Sequence, residues 1–138
     1  MSKQFAVART IAAPADKIWA LLTTSSGYRD WNPSIVRLDG QIRQGAKIAL
    51  VSTLDPKRTF KLTVTELNTP TRMVWSSGMP LGLFTGRRTF TLTERDGSTE
   101  FSMTEAFTGP LARLITKAIP DMTASFNQFA DALKTASE

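Results

Sequence analysis

The sequence predicts an α+β fold in which a curved antiparallel β-sheet of about six to seven strands wraps around a long C-terminal α-helix. Up to residue 107, segments repeatedly alternate between apolar and polar residues, which is the period of a half-buried strand. The dipeptide Asp96-Gly97 separates the last two such segments and is a strong signal for a tight hairpin. From residue 111 onward, apolar residues recur at helical spacing instead. A sheet curved across one helix buries both apolar faces at once.

The chain is expected to begin with one strand and two short helices. Residues 5–11 alternate as a strand, and residues 13–16 then start a helix that tolerates its proline in the first turn. The apolar stripe of this helix ends at residues 23–27, which favour a break. Residues 28–33 predict a second short helix or turn, because Pro33 disfavours helical backbone at the residue before it.

Strands are predicted for most of the next seventy or so residues, with turn residues between them. Residues 55–58 form a hairpin loop, and residues 78–83 form a small apolar loop. The predicted strands are 35–38, 47–54, 59–67, 72–77, 84–94 and 99–107.

A long amphipathic helix is predicted for residues 111–134. Pro120 lies inside it and should kink the helix or break it into two segments. No repeat, low-complexity tract or linker interrupts the chain, so residues 1–138 are expected to form a single domain. The apolar positions of the helix are Leu111, Leu114, Ile115, Ala118, Met122, Phe126, Phe129 and Leu133.

The composition excludes much chemistry, because the 138 residues include neither cysteine nor histidine. Disulfides, thiolate metal sites and cysteine nucleophiles are therefore impossible, as are Ser-His triads and imidazole acid–base catalysis. Zinc, copper and haem sites lose nearly all their usual ligands, and no carboxylate cluster suggests another metal. We expect neither a metal nor a cofactor.

The charge balance is basic, with 17 Lys and Arg against 12 Asp and Glu, a net charge of +5 and a pI near 10.0. Nucleic acid or an anionic membrane could attract such a domain. The cations are scattered, however, and the longest runs are Lys57-Arg58 and Arg87-Arg88. We therefore expect a solvated basic surface and no nucleic-acid partner. No signal peptide follows Met1 and no apolar run reaches the ~20 residues of a membrane span, so a cytoplasmic location is expected.

The last hairpin can be given a residue-by-residue register. If Asp96-Gly97 are the two central turn residues, opposed residues share a face of the sheet because side chains alternate with period two. One face is then polar and rich in threonine. The other face is apolar, except that Arg88 lies opposite Glu105. The opposed pairs on the apolar face are Leu92 with Phe101, Phe90 with Met103, Arg88 with Glu105, and Gly86 with Phe107.

The Arg88–Glu105 pair has two interpretations, which the sequence leaves open. It is either a partly wetted structural ion pair or a polar anchor that orients a ligand in an apolar cavity. Trp31 and Trp75 are likewise either core residues or ligand contacts. The loop 79–84 is either packed or a lid. For acid–base chemistry, the candidates are Glu105 and the single tyrosine, Tyr28.

Should a hollow lie between the predicted sheet and helix, the inward-facing residues of both would line it, and Trp31 would be a further candidate contact. The wall of this hollow should be mainly apolar, with the charged pair as its polar element. The candidate ligand-binding residues are Trp31, Phe60, Leu62, Trp75, Arg88, Phe90, Met103, Glu105, Met122 and Phe126.

These features together resemble the START/polyketide-cyclase (SRPBCC) superfamily, whose members have the helix-grip fold. The resemblance covers nearly the whole chain and rests on the order and spacing of several short motifs. It implies a deep hydrophobic cavity between the sheet and the C-terminal helix. The segments that carry it are 11–14, 18–22, 28–33, 64–66, 72–75, 84–86 and 105–109.

The resemblance implies binding of a lipid or another hydrophobic ligand, or a cyclase-type activity on polyketides. In similar members a histidine often occupies the position of Arg88, and arginine cannot shuttle protons because it stays charged. We therefore favour a binding module for a small hydrophobic or aromatic ligand, one that could carry an acidic group toward Arg88. The alternatives are a polyketide cyclase/dehydratase using Glu105 or Tyr28, and a protein-interaction module that docks through loop 79–84.

Overall fold

A computed structural model describes residues 3–118 and 121–138, and these residues include one antiparallel sheet of seven strands. The spatial order of the strands is β1-β7-β6-β5-β4-β3-β2, so the first strand closes against the last. This confirms the predicted helix-grip architecture. The strands are β1 (Lys3–Ile11), β2 (Ile35–Asp39), β3 (Lys47–Ser52), β4 (Phe60–Asn68), β5 (Arg72–Gly78), β6 (Thr85–Arg95) and β7 (Ser98–Thr108).

Two short helices follow the first strand, as predicted. They are α1 (Ala15–Thr23) and α2 (Tyr28–Trp31), with a 3₁₀ turn at Ser25–Gly27 between them. Helix α1 buries Ile18, Trp19 and Leu22, the residues of its apolar stripe.

The N-terminus of α1 receives its hydrogen-bond acceptor from the sheet. Pro14 precedes the helix and has no side-chain acceptor to offer the first free N–H groups. The carboxylate of Glu94, at the end of β6, accepts a hydrogen bond from the backbone N–H of Ala15 at 2.6 Å. A negative charge at this end also complements the helix dipole. Glu94 thus joins α1 to the sheet.

The C-terminal helical region differs from the single helix predicted for residues 111–134. A short helix α3 (Ala112–Ile115) leads into a 3₁₀ turn at Thr116–Ala118, and the main helix α4 (Thr123–Ser137) begins later than predicted. The side chain of Asp121 accepts a hydrogen bond from the backbone N–H of Thr123 at 2.9 Å, which fixes the start of α4. The predicted kink at Pro120 lies outside the described residues.

The predicted register of the last hairpin is confirmed at every pair. Leu92 faces Phe101, Phe90 faces Met103, and Arg88 faces Glu105. Asp96 and Gly97 have φ angles of 55° and 82°, the left-handed backbone that a two-residue hairpin turn of this type requires.

Aromatic side chains pack around α4 where it faces β6 and β7. The ring of Phe129 lies among aromatic rings from three other elements, with centroid distances of 5.6 Å to Trp31, 6.0 Å to Phe90 and 6.4 Å to Phe101. Toward its C-terminus α4 packs along β1 and α1, where Ala130 and Leu133 are fully buried. Of the helices in the described ranges, none has the length and apolar character that crossing a bilayer requires.

Candidate ligand-binding cavity

A cavity of about 520 Å³ lies between the inner face of the sheet and the first two turns of α4. This volume is within the range of about 300–1,000 Å³ that is typical of small-molecule sites. Its wall is mostly apolar and comes from β2 to β7, from the loops beside them, and from the helical region, which contributes Ile115, Met122, Phe126 and Phe129. The apolar faces of the sheet and of the start of α4 leave an open space between them here.

Most of the residues predicted to contact a ligand lie on the wall of this cavity. They come from four strands and from the beginning of the helical region, which is why no local motif reveals them. They are Phe60, Leu62, Trp75, Arg88, Met103, Glu105, Met122 and Phe126.

Phe90 was predicted as a wall residue, but it does not border the cavity. It does point to the inner face of the sheet, where its fully buried ring packs into the core. Its ring packs 4.7 Å from Trp75 and 6.0 Å from Phe129, measured between centroids. At this level of the sheet α4 fills the space, so Phe90 supports the ring of Trp75 from the core.

Trp31, which the sequence left as either a core residue or a ligand contact, lies outside this cavity. Its ring packs 5.0 Å from Tyr28 and 5.6 Å from Phe129 and borders a different surface groove, beside Lys17 and Leu21 of α1. Helix α2 has only four residues, and so short a helix gives no periodicity from which the facing side could be derived.

Tyr28, one of the two candidates for acid–base chemistry, is buried in the core and does not line the cavity. Its hydroxyl donates a hydrogen bond to the carbonyl oxygen of Leu22 at 2.5 Å. Burial raises the pKa of the Tyr28 phenol far above its usual range, and the positive charge of Arg88 offsets only part of this rise. The geometry gives Tyr28 a structural role.

Arg88 and Glu105 form an ion pair on the cavity wall. The Arg88 Nε donates to Glu105 Oε1 at 2.7 Å, and the two side chains are 12% and 16% exposed. The guanidinium carbon of Arg88 lies 5.1 Å from the centroid of the Phe126 ring, a cation–π contact with α4. The pair is therefore held from both the sheet and the helix, and it places polar atoms on an otherwise apolar surface.

Trp75 is the neighbour of this pair on the next strand. It lies directly opposite Arg88 in the β5–β6 ladder, just as Glu105 does in the β6–β7 ladder. Trp75 is 1% exposed, and its indole N–H is buried with no hydrogen-bond partner among the described residues. Trp75, Arg88 and Glu105 therefore lie side by side on β5, β6 and β7.

Sequence reasoning missed the part of the wall that loops contribute, together with Ser52 of β3 and Ser77 of β5. Ser34, Ser52 and Ser77 add hydroxyl groups, and Arg58 and Asp55 add charges from the loop between β3 and β4. Loop residues have no periodicity that assigns them a face, so the pattern of the sequence carries no signal for them. Within the ranges the structure describes, no three acidic side chains come close enough together to hold a metal ion.

The mouth of the cavity is bordered by exposed apolar residues. Leu54 and Met79 line the cavity and are 37% and 43% exposed. In loop 79–84, Leu81 is 97% exposed and has a φ angle of 60°, whereas Phe84 at its base stacks on Phe107 at 5.8 Å. The loop is anchored at its base, and its tip is unpacked.

Both the sequence and the fold of the chain resemble those of known proteins. The sequence model of a family described as "Polyketide cyclase / dehydrase and lipid transport" matches residues 2–138. No curated protein matches the chain.

Solved structures similar to this one share its fold at low sequence identity. Protein MLL2253 from Mesorhizobium loti is 18% identical, with a TM-score of 0.72 over 97% of this chain and 96% of that one. The Zhui aromatase/cyclase from Streptomyces sp. R1128 is 16% identical, with a TM-score of 0.73 over 99% and 94%. A truncated norcoclaurine synthase from Thalictrum flavum is 15% identical, with a TM-score of 0.71 over 98% and 92%.

Proposed function

The chain belongs to the polyketide cyclase/dehydrase and lipid transport family, and from this premise we propose that it binds one small hydrophobic or aromatic ligand, lipid-like or polyketide-like, in its cavity. The observation that carries the proposal is the cavity itself, about 520 Å³ with a mostly apolar wall. An empty apolar cavity of this size lacks the van der Waals contacts that a filled core would have. A ligand that fills it regains those contacts and removes its own apolar surface from water.

The polar groups on the wall support binding of an oriented ligand. Pockets for small molecules typically combine an apolar wall with a few polar groups that fix orientation. Arg88 and Glu105 meet that description, since they are adjacent, largely buried and on the wall. Both the ion pair and the cation–π contact hold Arg88 in place before any ligand arrives.

The enzymatic alternative rests on Glu105, a carboxylate on the cavity wall. Tyr28 gives this alternative no support, because its hydroxyl is bonded to Leu22 away from the cavity. The partner of Glu105 is an arginine, whose guanidinium offers hydrogen-bond donors and no acceptor. A binding role therefore fits the geometry better than proton transfer.

The third alternative, docking of a protein through loop 79–84, has the 97% exposure of Leu81 in its favour. The variant Leu81→Asp separates it from ligand binding, because Leu81 does not line the cavity. Under our proposal this variant keeps the ligand affinity of the wild type.

Native mass spectrometry of the purified protein tests the proposal directly. We expect a species heavier than the bare chain by the mass of one small molecule, or a bare chain that takes up the neutral dye Nile red at one dye per chain with saturation. A bare chain that neither carries a molecule nor binds Nile red saturably would overturn the proposal.

A further inference from the structure

We propose that the outer surface around the cavity mouth docks on an anionic lipid bilayer, with Leu81 and Leu114 inserted among the headgroups and basic side chains beside them in contact with acidic lipids. This inference goes beyond the proposed binding function, because it concerns the outside of the molecule and not the contents of the cavity. It gives the unpacked tip of loop 79–84 a partner.

The first step is where the exposed apolar side chains lie. Among the residues that the structure describes, six large apolar side chains are exposed, and five of them belong to three segments that also contribute residues to the cavity wall. Leu81 and Leu114 protrude furthest, at 97% and 69% exposed. Exposed apolar residues that cluster in this way mark an interaction site. The five residues, here called the mouth surface, are Leu54, Met79, Leu81, Leu83 and Leu114.

Backbone contacts join two of these segments. The N–H of Leu111, just before α3, donates to the carbonyl oxygen of Leu83 at 2.9 Å. Gly109 packs so closely on the loop that a Cβ at this position would lie 2.6 Å from the same oxygen. The leucines of the loop and of α3 therefore belong to one connected surface.

Leu81 combines two features that disfavour folding. Its side chain lies almost wholly in water, and its backbone, with a φ of 60° and a ψ of 23°, has the left-handed conformation that leucine rarely adopts. Asparagine or glycine would adopt this conformation at lower cost. Backbone strain of this kind is typical of functional positions. A bilayer would remove the leucine side chain from water.

The second step is the charge beside the mouth surface. Segments 54–58 and 111–117 together carry four cations and one carboxylate, that of Asp55. The four cations are exposed, and none forms an ion pair with any residue that the structure describes. Anionic lipids attract such side chains, and each contributes about fivefold in affinity. The four are Lys57, Arg58, Arg113 and Lys117.

This combination favours a bilayer over a protein partner. The core of a protein interface is poor in lysine and requires a surface of complementary shape. A bilayer interface is fluid, and it accommodates protruding leucines next to lysine and arginine. In this orientation the cavity opens toward the lipids.

Cosedimentation with lipid vesicles tests the proposal in the full chain. We expect binding to vesicles of equimolar phosphatidylcholine and phosphatidylglycerol to be at least about tenfold tighter than to phosphatidylcholine alone, and to weaken as salt is added. Equal affinity for the two kinds of vesicle, or no binding to the anionic vesicles, would overturn the proposal.

The variant Leu81→Asn removes the apolar side chain and suits the left-handed backbone. Affinity for the anionic vesicles should fall about tenfold, as burial of a leucine implies, while the thermal stability is kept or raised. The control Val36→Asn removes an exposed apolar side chain from β2, outside the mouth surface, and should bind vesicles normally. Unchanged vesicle affinity in both Leu81→Asn and Leu114→Asn contradicts the insertion.

Two double variants that remove the same number of charges test the orientation. Arg113→Gln with Lys117→Gln should weaken binding to the anionic vesicles about tenfold or more. Lys17→Gln with Arg95→Gln removes exposed cations at the other end of the sheet, where Glu94 bonds to the start of α1, and should cost about threefold or less. Equal losses in the two double variants would mean attraction by net charge alone, and the docking surface would be refuted.

The outcomes separate this inference from the proposed function, which Nile red tests in buffer without vesicles. A protein that binds Nile red but not the anionic vesicles retains the binding function and refutes the docking. Vesicle binding that depends on Leu81, in a protein that does not bind the dye, has the opposite meaning. If a protein partner binds through Leu81 and anionic vesicles do not, the mouth surface is a protein interface and the inference is wrong.

Discussion

Arg88 and Glu105 lie directly opposite each other on β6 and β7, and their ion pair of 2.7 Å is largely buried in the wall of an apolar cavity. The chain's other ion pairs in the described ranges are considerably more exposed, for example Arg72 with Glu66 at 48% and 36%. Loss of one partner should reduce stability more for the buried pair than for an exposed pair. Water solvates and screens an exposed charge, whereas it has little access to a buried one.

The variant Glu105→Gln should lower the free energy of unfolding by about 2–3 kcal/mol, because it leaves the charge of Arg88 without compensation in a poorly solvated place. Urea denaturation followed by circular dichroism measures this change. In the matched variant Glu66→Gln the loss should stay below about 1 kcal/mol, because both partners of that pair are exposed.

The double variant Arg88→Met with Glu105→Leu should recover much of the stability that Glu105→Gln loses, because two apolar side chains need no compensation. A double-mutant cycle built from Arg88→Met, Glu105→Leu and the double variant measures the coupling between the two side chains. Coupling near zero would mean that the two side chains act as separate solvated charges.

Filling the cavity should abolish binding while the fold is kept. Met122 lines the cavity just before α4 and is only partly buried, so Met122→Trp extends a larger side chain into the open space. Nile red affinity should fall at least tenfold, with an unchanged circular dichroism spectrum. The control Val36→Trp places the same residue at a 42% exposed position that does not line the cavity, and should bind the dye normally. Equal affinity in Met122→Trp and the wild type would place the dye elsewhere.

The phenol of Tyr28 should resist ionisation for as long as the protein is folded. Burial raises its pKa above the ordinary value of 10.0, so above that pH the unfolded chain releases a proton that the folded chain retains. Its contribution to stability is therefore complete below pH 10 and declines as the pH rises further. Because the chain contains one tyrosine, the ultraviolet absorbance of tyrosinate reports this group alone. Ionisation near pH 10 in the folded protein would contradict the burial.

The variant Tyr28→Phe should destabilise the protein by about 1–2 kcal/mol and leave Nile red affinity unchanged. The carbonyl of Leu22 loses the hydroxyl that donates to it, and the cavity wall is untouched. The decline in stability above pH 10 should also be shallower than in the wild type. Loss of dye binding in a folded Tyr28→Phe protein would show that Tyr28 takes part in the site.

The contact between Glu94 and the start of α1 should contribute to stability as a helix cap does. Glu94→Ala removes the acceptor for the N–H of Ala15 and should cost about 1 kcal/mol. Glu94→Gln retains an acceptor but not the charge, and should cost less. Thermal unfolding of the wild type and of both variants measures their order of stability. A Glu94→Ala protein more stable than the wild type would contradict this role.

Prediction from sequence succeeded where local chemistry determines geometry. Asp96-Gly97 fixes a two-residue turn, and this turn alone places Arg88 opposite Glu105. No comparable rule applies to loop 79–84, so the pairing of Trp75 with Arg88 could not be derived. Phe90 was correctly placed on the inner face, but whether α4 or empty space covers it depends on where the helix lies along the sheet. Periodicity determines the face of an element and not its position relative to another element.

The strand ladders differ in length across the sheet, so different parts of the sheet should open at different rates. Pairing of β6 with β7 is continuous from Thr85 to Arg95, whereas β3 pairs with β4 only over Lys47–Leu50, and register shifts interrupt the ladders on both sides of that short segment. Short, interrupted ladders open more readily, so backbone amides of β3 and β4 should exchange with deuterium sooner than those of β6 and β7. Under the proposed binding function, the half that contains β3 and β4 would then adjust to ligands of different size, while Arg88 and Glu105 stay on the slowly exchanging half.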